Sequence, residues 1–474
     1  MSSKKNFFKN LLTVGSYNQI ALLIGFFTSF IVQRLVSPEA YGTIALITVF
    51  SGFIAIFSNA GFSFAVIKND YSSAFLNQLS SLCTLTGFIL CMILCALAYP
   101  ISLFYNNAVL IPIVFVVASN FIVQAISIIP KAKLQKQHQY GYIGKILLIG
   151  QLFNTGFSIV LAYLGFSYWA IIIPQIISFA VQSYFLINKT SILPGFYSMS
   201  TIRETFKEIK SLFGNISGFN ILNYWARNAD NLLIGKLYSE AQLGIYNRAY
   251  FLLTLPLNTL SNVIGQVLLP TFKELKDKEN TIEPQLTYLL GMLSILVFPI
   301  SVVLITVPDL LISIIWGKDW LDVAIYLPFL GIVLFVQAML SPAGQIFILH
   351  NEEKTLFKMG IVNSFILVAS IAFGAIYSIR HIVLFYTISN ILLTTPIIII
   401  VGFKNTFHFG NSNLIKFWIP KLFLLFSICL SVWYNITYLK VLFLGLLSIH
   451  LLLSEWQRLG SFKEMVINII SKKK

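Results

Sequence analysis

The chain contains a second copy of itself, written in apolar sequence. Arg34-Leu35-Val36-Ser37 with Gly42 recurs as Lys236-Leu237-Tyr238-Ser239 with Gly244, each residue displaced by 202 positions. The apolar segments that follow carry Ser58-Asn59 and Ser261-Asn262. Further on, Val123-Gln124-Ala125 before Pro130 is echoed by Val336-Gln337-Ala338 before Pro342, and Lys145 by Lys358. Two homologous halves in a membrane imply two bundles facing each other across a cleft, the build of a machine that exposes one site alternately to either side.

That the halves are membrane-embedded follows from composition: 57% hydrophobic and 10% charged over 474 residues, where a soluble domain carries about a quarter charged. Apolar runs long enough to cross about 30 Å of hydrocarbon fall near 13–35, 43–66, 76–99, 109–130, 145–164, 168–187, 212–235, 244–269, 286–307, 324–349, 359–378, 382–402, 417–434 and 439–456. The expected fold is therefore all-α and integral to the membrane, with fourteen helices. They form two six-helix repeats related by an axis along the membrane normal, plus two extra C-terminal helices.

A net charge of +15 would point to nucleic acid in a soluble chain, but here the charge follows topology. With the N-terminus inside, 24 of the 32 Lys and Arg fall in inner segments and 5 in outer ones. That asymmetry puts both termini in the cytoplasm and excludes a nucleic-acid partner. The basic start and its apolar run are too long for a secretory signal and lack a small-residue cleavage pattern, so the run is read as the first span. Cys83, Cys91, Cys95 and Cys429 lie in apolar helices and are expected to behave as small hydrophobes.

The expected organisation is an N-terminal bundle over 1–187, a cytoplasmic linker over 188–211, a second bundle over 212–403, two further spans over 404–456 and a basic amphipathic tail over 457–474. The linker's 203–210 stretch alternates apolar and charged positions at helical spacing, as a surface helix does. The tail should lie on anionic lipid headgroups. No outer loop is long enough to hold a catalytic domain. There is also no Gly-rich phosphate loop, no His-Glu-x-x-His and no pair of carboxylates on one membrane helix. The chain is not expected to be an enzyme, and no resident cofactor or metal is expected.

Three stretches carry a resemblance to a known family: Trp225-Ala226-Arg227-Asn228-Ala229-Asp230-Asn231-Leu232-Leu233-Ile234-Gly235-Lys236, then Leu243-Gly244-Ile245-Tyr246-Asn247-Arg248-Ala249-Tyr250, and Trp316-Gly317-Lys318-Asp319-Trp320. They resemble the Wzx-type polysaccharide exporters of the multidrug/oligosaccharidyl-lipid/polysaccharide superfamily. The resemblance implies a V-shaped pair of six-helix bundles in a bacterial plasma membrane. It implies a flippase that moves undecaprenyl-pyrophosphate-linked oligosaccharide from the inner to the outer leaflet for O-antigen, capsule or exopolysaccharide assembly, with membrane lipids and polysaccharide polymerase machinery as partners. The alternatives are a cation-coupled multidrug exporter of the same superfamily and a membrane polysaccharide polymerase or ligase. Multidrug exporters generally have twelve spans and acidic cavities, which spans 13 and 14 and the basic candidate below do not match.

An Arg near the bilayer centre costs about 2.5–3.5 kcal/mol even on lenient insertion scales, so charges within spans need an explanation. Arg227 and Asp230 stand three apart on span 7, about 13 and 9 Å below its outer end at 1.5 Å per residue. One reading is a self-neutralising pair that clips span 7 to a neighbour. The other has Arg227 meeting the pyrophosphate, with Asp230 holding the guanidinium or exchanging a coupling H+ or Na+. The first repeat has Gly25 and Thr28 at these places, so the scaffold does not need the pair. Asn223, one turn before Arg227, is a substrate-binding candidate on the same face. Arg248, five residues into span 8, is a second anion candidate although close enough to the surface to snorkel. Arg34 and Lys236 are symmetric caps, and the Trp316–Trp320 segment is expected to be an interfacial aromatic anchor.

Overall fold

In a computed structural model of the protein the backbone is described for all residues except 1, 59–60, 211–216, 276–281 and 472–474. Side chains are described except at those positions and at 2–16, 217–223, 226, 261–275, 282–285, 411–415 and 456–471. The regular structure of the described residues is all helical, with no strand among them. Hydrocarbon offers no partner for a backbone N–H or C=O, so an apolar chain satisfies them within each helix.

The order begins with α1 (Ser2–Leu35), α2 (Pro38–Ala55), α3 (Phe62–Lys68), α4 (Ser73–Ala96), α5 (Ala98–Tyr105), α6 (Leu110–Lys136), α7 (Tyr140–Tyr163), α8 (Trp169–Thr190), α9 (Met199–Ile209) and α10 (Ser217–Leu237). It continues with α11 (Glu240–Leu275), α12 (Ile282–Thr306), α13 (Pro308–Ile315), a 3-10 stretch (Lys318–Ile325), α14 (Leu327–Leu340), α15 (Ala343–Leu349), α16 (Glu353–Ala375) and α17 (Ile379–Ser389). A π-helical turn (Asn390–Thr394), α18 (Thr395–Ile397) and a second π-helical stretch (Ile398–Thr406) lead to α19 (Asn411–Trp433) and α20 (Thr437–Ser471). Start signals are local. Pro38, Pro308 and Pro328 open α2, α13 and α14 where no intrahelical N–H is lost. Ser72, Ser198 and Ser378 cap α4, α9 and α17 by accepting a backbone N–H three residues on.

Among the described residues twelve helices are long and apolar enough to cross a membrane. They coincide with twelve of the fourteen expected spans. The other two, spans 7 and 8, fall on α10 and α11, which form helices of 21 and 36 residues. Part of each lies outside the described side chains, and α10 is the more polar because it carries Asn220, Asn223, Arg227, Asn228, Asp230 and Asn231. The chain is a multi-pass membrane protein.

Two compact units are present, Met1–Gly244 and Ile245–Lys474. In the first, α4 packs on α6, α1 on α7 and α7 on α8. The expected linker helix is present as α9 and belongs to this unit. Ile192 and Ile209, at its two approaches, are buried with Phe62, Leu79, Ala125 and Ile129. The Leu193 N–H donates to Asn77 Oδ1 at 3.3 Å and that of Gly195 to Ser81 Oγ at 2.8 Å, so the link is stitched to α4. At the same end Lys136 pairs with Asp70 at 2.6 Å, and the ammonium holds that carboxyl below the usual carboxylate range.

In the second unit α12 packs on α14, α16 on α17, α19 on α20, and the C-terminal pair touches α12 and α14. The expectation of an interfacial aromatic anchor at Trp316–Trp320 is corrected here. Both indoles are buried, 1% and 0% exposed, with ring centroids 6.0 Å apart in an edge-to-face arrangement. The Gly317 turn, at φ +93°, folds this segment back so that both rings enter the core. A belt residue would face headgroups.

Candidate functional site

Helix α10 lies along α2, and the contacts that seat it are aromatic. Tyr224 Oη donates to the Val49 carbonyl at 2.6 Å, and the Trp225 ring sits 5.1 Å from that of Phe53. About three turns further on, Gly235 meets Leu46 and Tyr105. Arg227 and Asp230 lie between these contacts, and the structure separates them. The Asp230 side chain is buried, 4% exposed, and Oδ1 accepts the Asn231 N–H at 2.7 Å. Ile234, four residues on, is buried with it. Arg227 is exposed and forms no ion pair among the described residues. A guanidinium with five donors and no ion pair among the described residues is ready to take a planar or tetrahedral oxyanion. The Asn223 side chain lies outside the described residues. Arg248 belongs to the second unit, half-buried on α11 with its guanidinium 5.4 Å from the Phe251 ring centroid.

The repeat motif that opened the sequence meets its own counterpart. A Cβ added at Gly42 would overlap the carbonyl of Glu240, and one added at Gly244 would overlap the carbonyl of Pro38. Pro38 and Glu240 occupy equivalent repeat positions, as do Gly42 and Gly244. The crossing of α2 with the start of α11 is therefore reciprocal: each copy uses its glycine to admit the other's first-turn backbone. Glu240 fastens it by accepting from Thr43 Oγ1 and Asn107 Nδ2. Lys236 Nζ donates to the Phe104 carbonyl and stands 4.7 Å over that ring. In the sequence the two glycines mark the repeat and do not show that they meet, and Glu240 has no charged counterpart in the first copy.

Two polar features of the second unit also escaped the sequence. Gln337 Nε2 donates to Tyr386 Oη at 2.9 Å and to Asn390 Oδ1 at 3.3 Å, beside the π-helical turn where Thr395 Oγ1 donates to the Asn390 carbonyl at 2.6 Å. Between α19 and α20, Lys421 Nζ is 3.6 Å from Glu455 Oε1, with side chains 1% and 0% exposed. The same ammonium reaches the Phe417 carbonyl at 3.2 Å and that ring's centroid at 3.6 Å.

With this geometry in view, comparison with known proteins is decisive on one point. The profile of a family described as polysaccharide biosynthesis protein matches residues 31–325. The chain belongs to that family. The match spans all three stretches that carry the Wzx-type resemblance, which is thereby borne out. Teichuronic acid biosynthesis protein TuaB of Bacillus subtilis (strain 168) is 25% identical over 64% of this chain and 63% of its own length. The chain thus spans less than two thirds of that relative. Lipopolysaccharide biosynthesis protein WzxC of Escherichia coli (strain K12) is 21% identical over 75% of this chain and 72% of its own. Among solved structures, the lipid II flippase MurJ in an inward-closed conformation aligns with a TM-score of 0.71 at 14% identity, covering 94% of this chain and 99% of that one. An inward-facing multidrug resistance MATE family transporter of the MOP superfamily gives 0.64 at 14% identity, covering 82% and 95%. The chain shares the fold of these two solved proteins.

Proposed function

We propose that this protein carries a polyprenyl-pyrophosphate-linked oligosaccharide from the inner to the outer leaflet of a bacterial plasma membrane by alternating access, with both termini in the cytoplasm. The observation that carries the reading is Arg227: exposed, without an ion pair among the described residues, and set on a membrane helix whose seat on α2 is already filled by Tyr224, Trp225 and Gly235. Its role is to bind the pyrophosphate while the sugar passes and the lipid tail stays in the bilayer. The relatives' names, teichuronic acid and lipopolysaccharide biosynthesis, support a glycan cargo.

The reciprocal glycine crossing, fastened by Glu240, lies at the end of the first unit that the charge pattern places outside. Opening to the outer leaflet requires Thr43 and Asn107 to release that carboxylate. Asn223 is a further substrate contact on α10, Arg248 is a separate anion contact on the second unit, and buried Asp230 is the group that exchanges H+ or Na+ to couple movement to a gradient. Polysaccharide polymerase machinery receives the product.

The test is reconstitution. In proteoliposomes the chain should speed the leaflet exchange of a fluorescent polyprenyl-pyrophosphate disaccharide and not export a cationic dye. Dye export without lipid exchange would favour the multidrug reading and end this one. Gradient-driven exchange at the normal rate by Asp230→Asn would remove the coupling role.

A further inference from the structure

Helix α6 carries a polar stripe that neither the packing nor the topology accounts for. Asn120, Gln124, Ser127 and Lys131 recur at i, i+4, i+7 and i+11, so they share one face over about 16 Å at 1.5 Å per residue. That face lies away from the exposed Phe115. It also lies between the two sides that pack, Phe121 and Ala125 against Gly87 of α4, and the Val123 carbonyl against Ser183 of α8. Asn120 is only 8% exposed, yet its Oδ1 has no hydrogen-bond partner among the described residues. A buried amide oxygen left unpaired costs about 1–3 kcal/mol, which a scaffold has reason to avoid.

At the inner end of the stripe the three lysines of α6 divide sharply. Lys136 is paired with Asp70 and bonds the Asn69 carbonyl, and Lys133 donates to the Thr190 carbonyl at 3.4 Å. Lys131, half-buried between the buried Pro130 and Ala132, has no ion pair or hydrogen bond among the described residues. The internal repeat removes the scaffold explanation. Aligned on Gln337 and Pro342, the second copy has Val333, Gln337, Leu340 and Ala343, so only the glutamine is shared.

We propose that this stripe is an inner-leaflet loading site for the pyrophosphate-sugar headgroup: Lys131 takes the anion, and Gln124 and Asn120 meet sugar hydroxyls deeper in the helix bundle. The proposal rests on the transport reading above and adds to it a site on the first unit, separate from Arg227. The pyrophosphate leaves Lys131 as it is handed toward the outer half.

The experiment uses the full chain, purified in detergent, and measures binding of farnesyl pyrophosphate, farnesol and phosphatidylglycerol. Wild type should bind farnesyl pyrophosphate well above farnesol. Lys131→Met keeps the stem and removes the charge, and should weaken farnesyl pyrophosphate at least about tenfold while leaving farnesol unchanged. Lys131→Arg should retain most of the affinity, and Lys133→Met, at a partnered lysine, should change nothing. Equal binding by wild type and Lys131→Met overturns the loading site and leaves the transport reading standing. Should Lys131→Met not fold, failure of Lys131→Arg to retain pyrophosphate preference overturns it in the same way. Competition by phosphatidylglycerol as strong as by farnesyl pyrophosphate would assign Lys131 to ordinary membrane headgroups and also overturn it. A wild type that does not distinguish farnesyl pyrophosphate from farnesol sinks the transport reading itself.

Discussion

The protein treats charge within its spans in two opposite ways. On α19 and α20, Lys421 and Glu455 are sealed together, no more than 1% exposed, with a carbonyl and an aromatic ring completing the ammonium's shell. On α10, Arg227 stands exposed without an ion pair among the described residues, while Asp230 one turn away turns inward to a backbone N–H. A sealed pair offers nothing to a ligand, because any new partner must first break it. Its use is to fix α20 against α19, a pair of helices outside the repeat that has no internal counterpart to align it. An exposed cation on a membrane helix has the opposite character: an arriving oxyanion meets its donors without first breaking an ion pair among the described residues.

If this contrast is right, breaking the sealed pair should be the costliest change. Glu455→Ala leaves Lys421 buried and uncompensated, and stability should fall by about 3–5 kcal/mol. The double variant Lys421→Met/Glu455→Leu should recover most of that loss. Thermal melting of the purified chain in detergent checks both, and a Glu455→Ala protein melting like wild type would show that the pair fixes nothing.

The glycine crossing gives an intermediate scale. Gly42→Ala and Gly244→Ala each push a methyl into a backbone carbonyl, and each should cost about 1–3 kcal/mol, with the two losses alike because the contact is reciprocal. Unequal losses, one near zero, would mean that the two copies do not share the crossing evenly. Smaller again is Asp230→Asn, which keeps an acceptor for the Asn231 N–H and should cost about 1 kcal/mol. Least of all is Arg227→Ala, within about 0.5 kcal/mol because nothing in the fold leans on an exposed side chain.

What the sequence disclosed and what it hid follow the same division. Spans, repeat and linker helix were legible because hydropathy and helical period are local in the chain. Arg227 and Asp230 were legible as an outstanding pair, but three-residue spacing places two groups on one face without saying which is exposed. Lys421 and Glu455 are 34 positions apart on different helices, so only packing could join them. Trp316 and Trp320 were misjudged for a related reason: aromatic residues beside a Gly at a span end fit a headgroup belt equally well until the turn at Gly317 is known to fold them inward. The stripe on α6 went unnoticed because each of its residues is unremarkable alone.

The most direct test of the central claim is leaflet exchange by Arg227→Ala in proteoliposomes, at matched protein level and with melting unchanged. The account predicts that exchange of the polyprenyl-pyrophosphate disaccharide is lost, and that Arg227→Lys keeps part of it because the charge survives without the guanidinium fork. Wild-type exchange by the folded Arg227→Ala protein would contradict the account and remove Arg227 from the site.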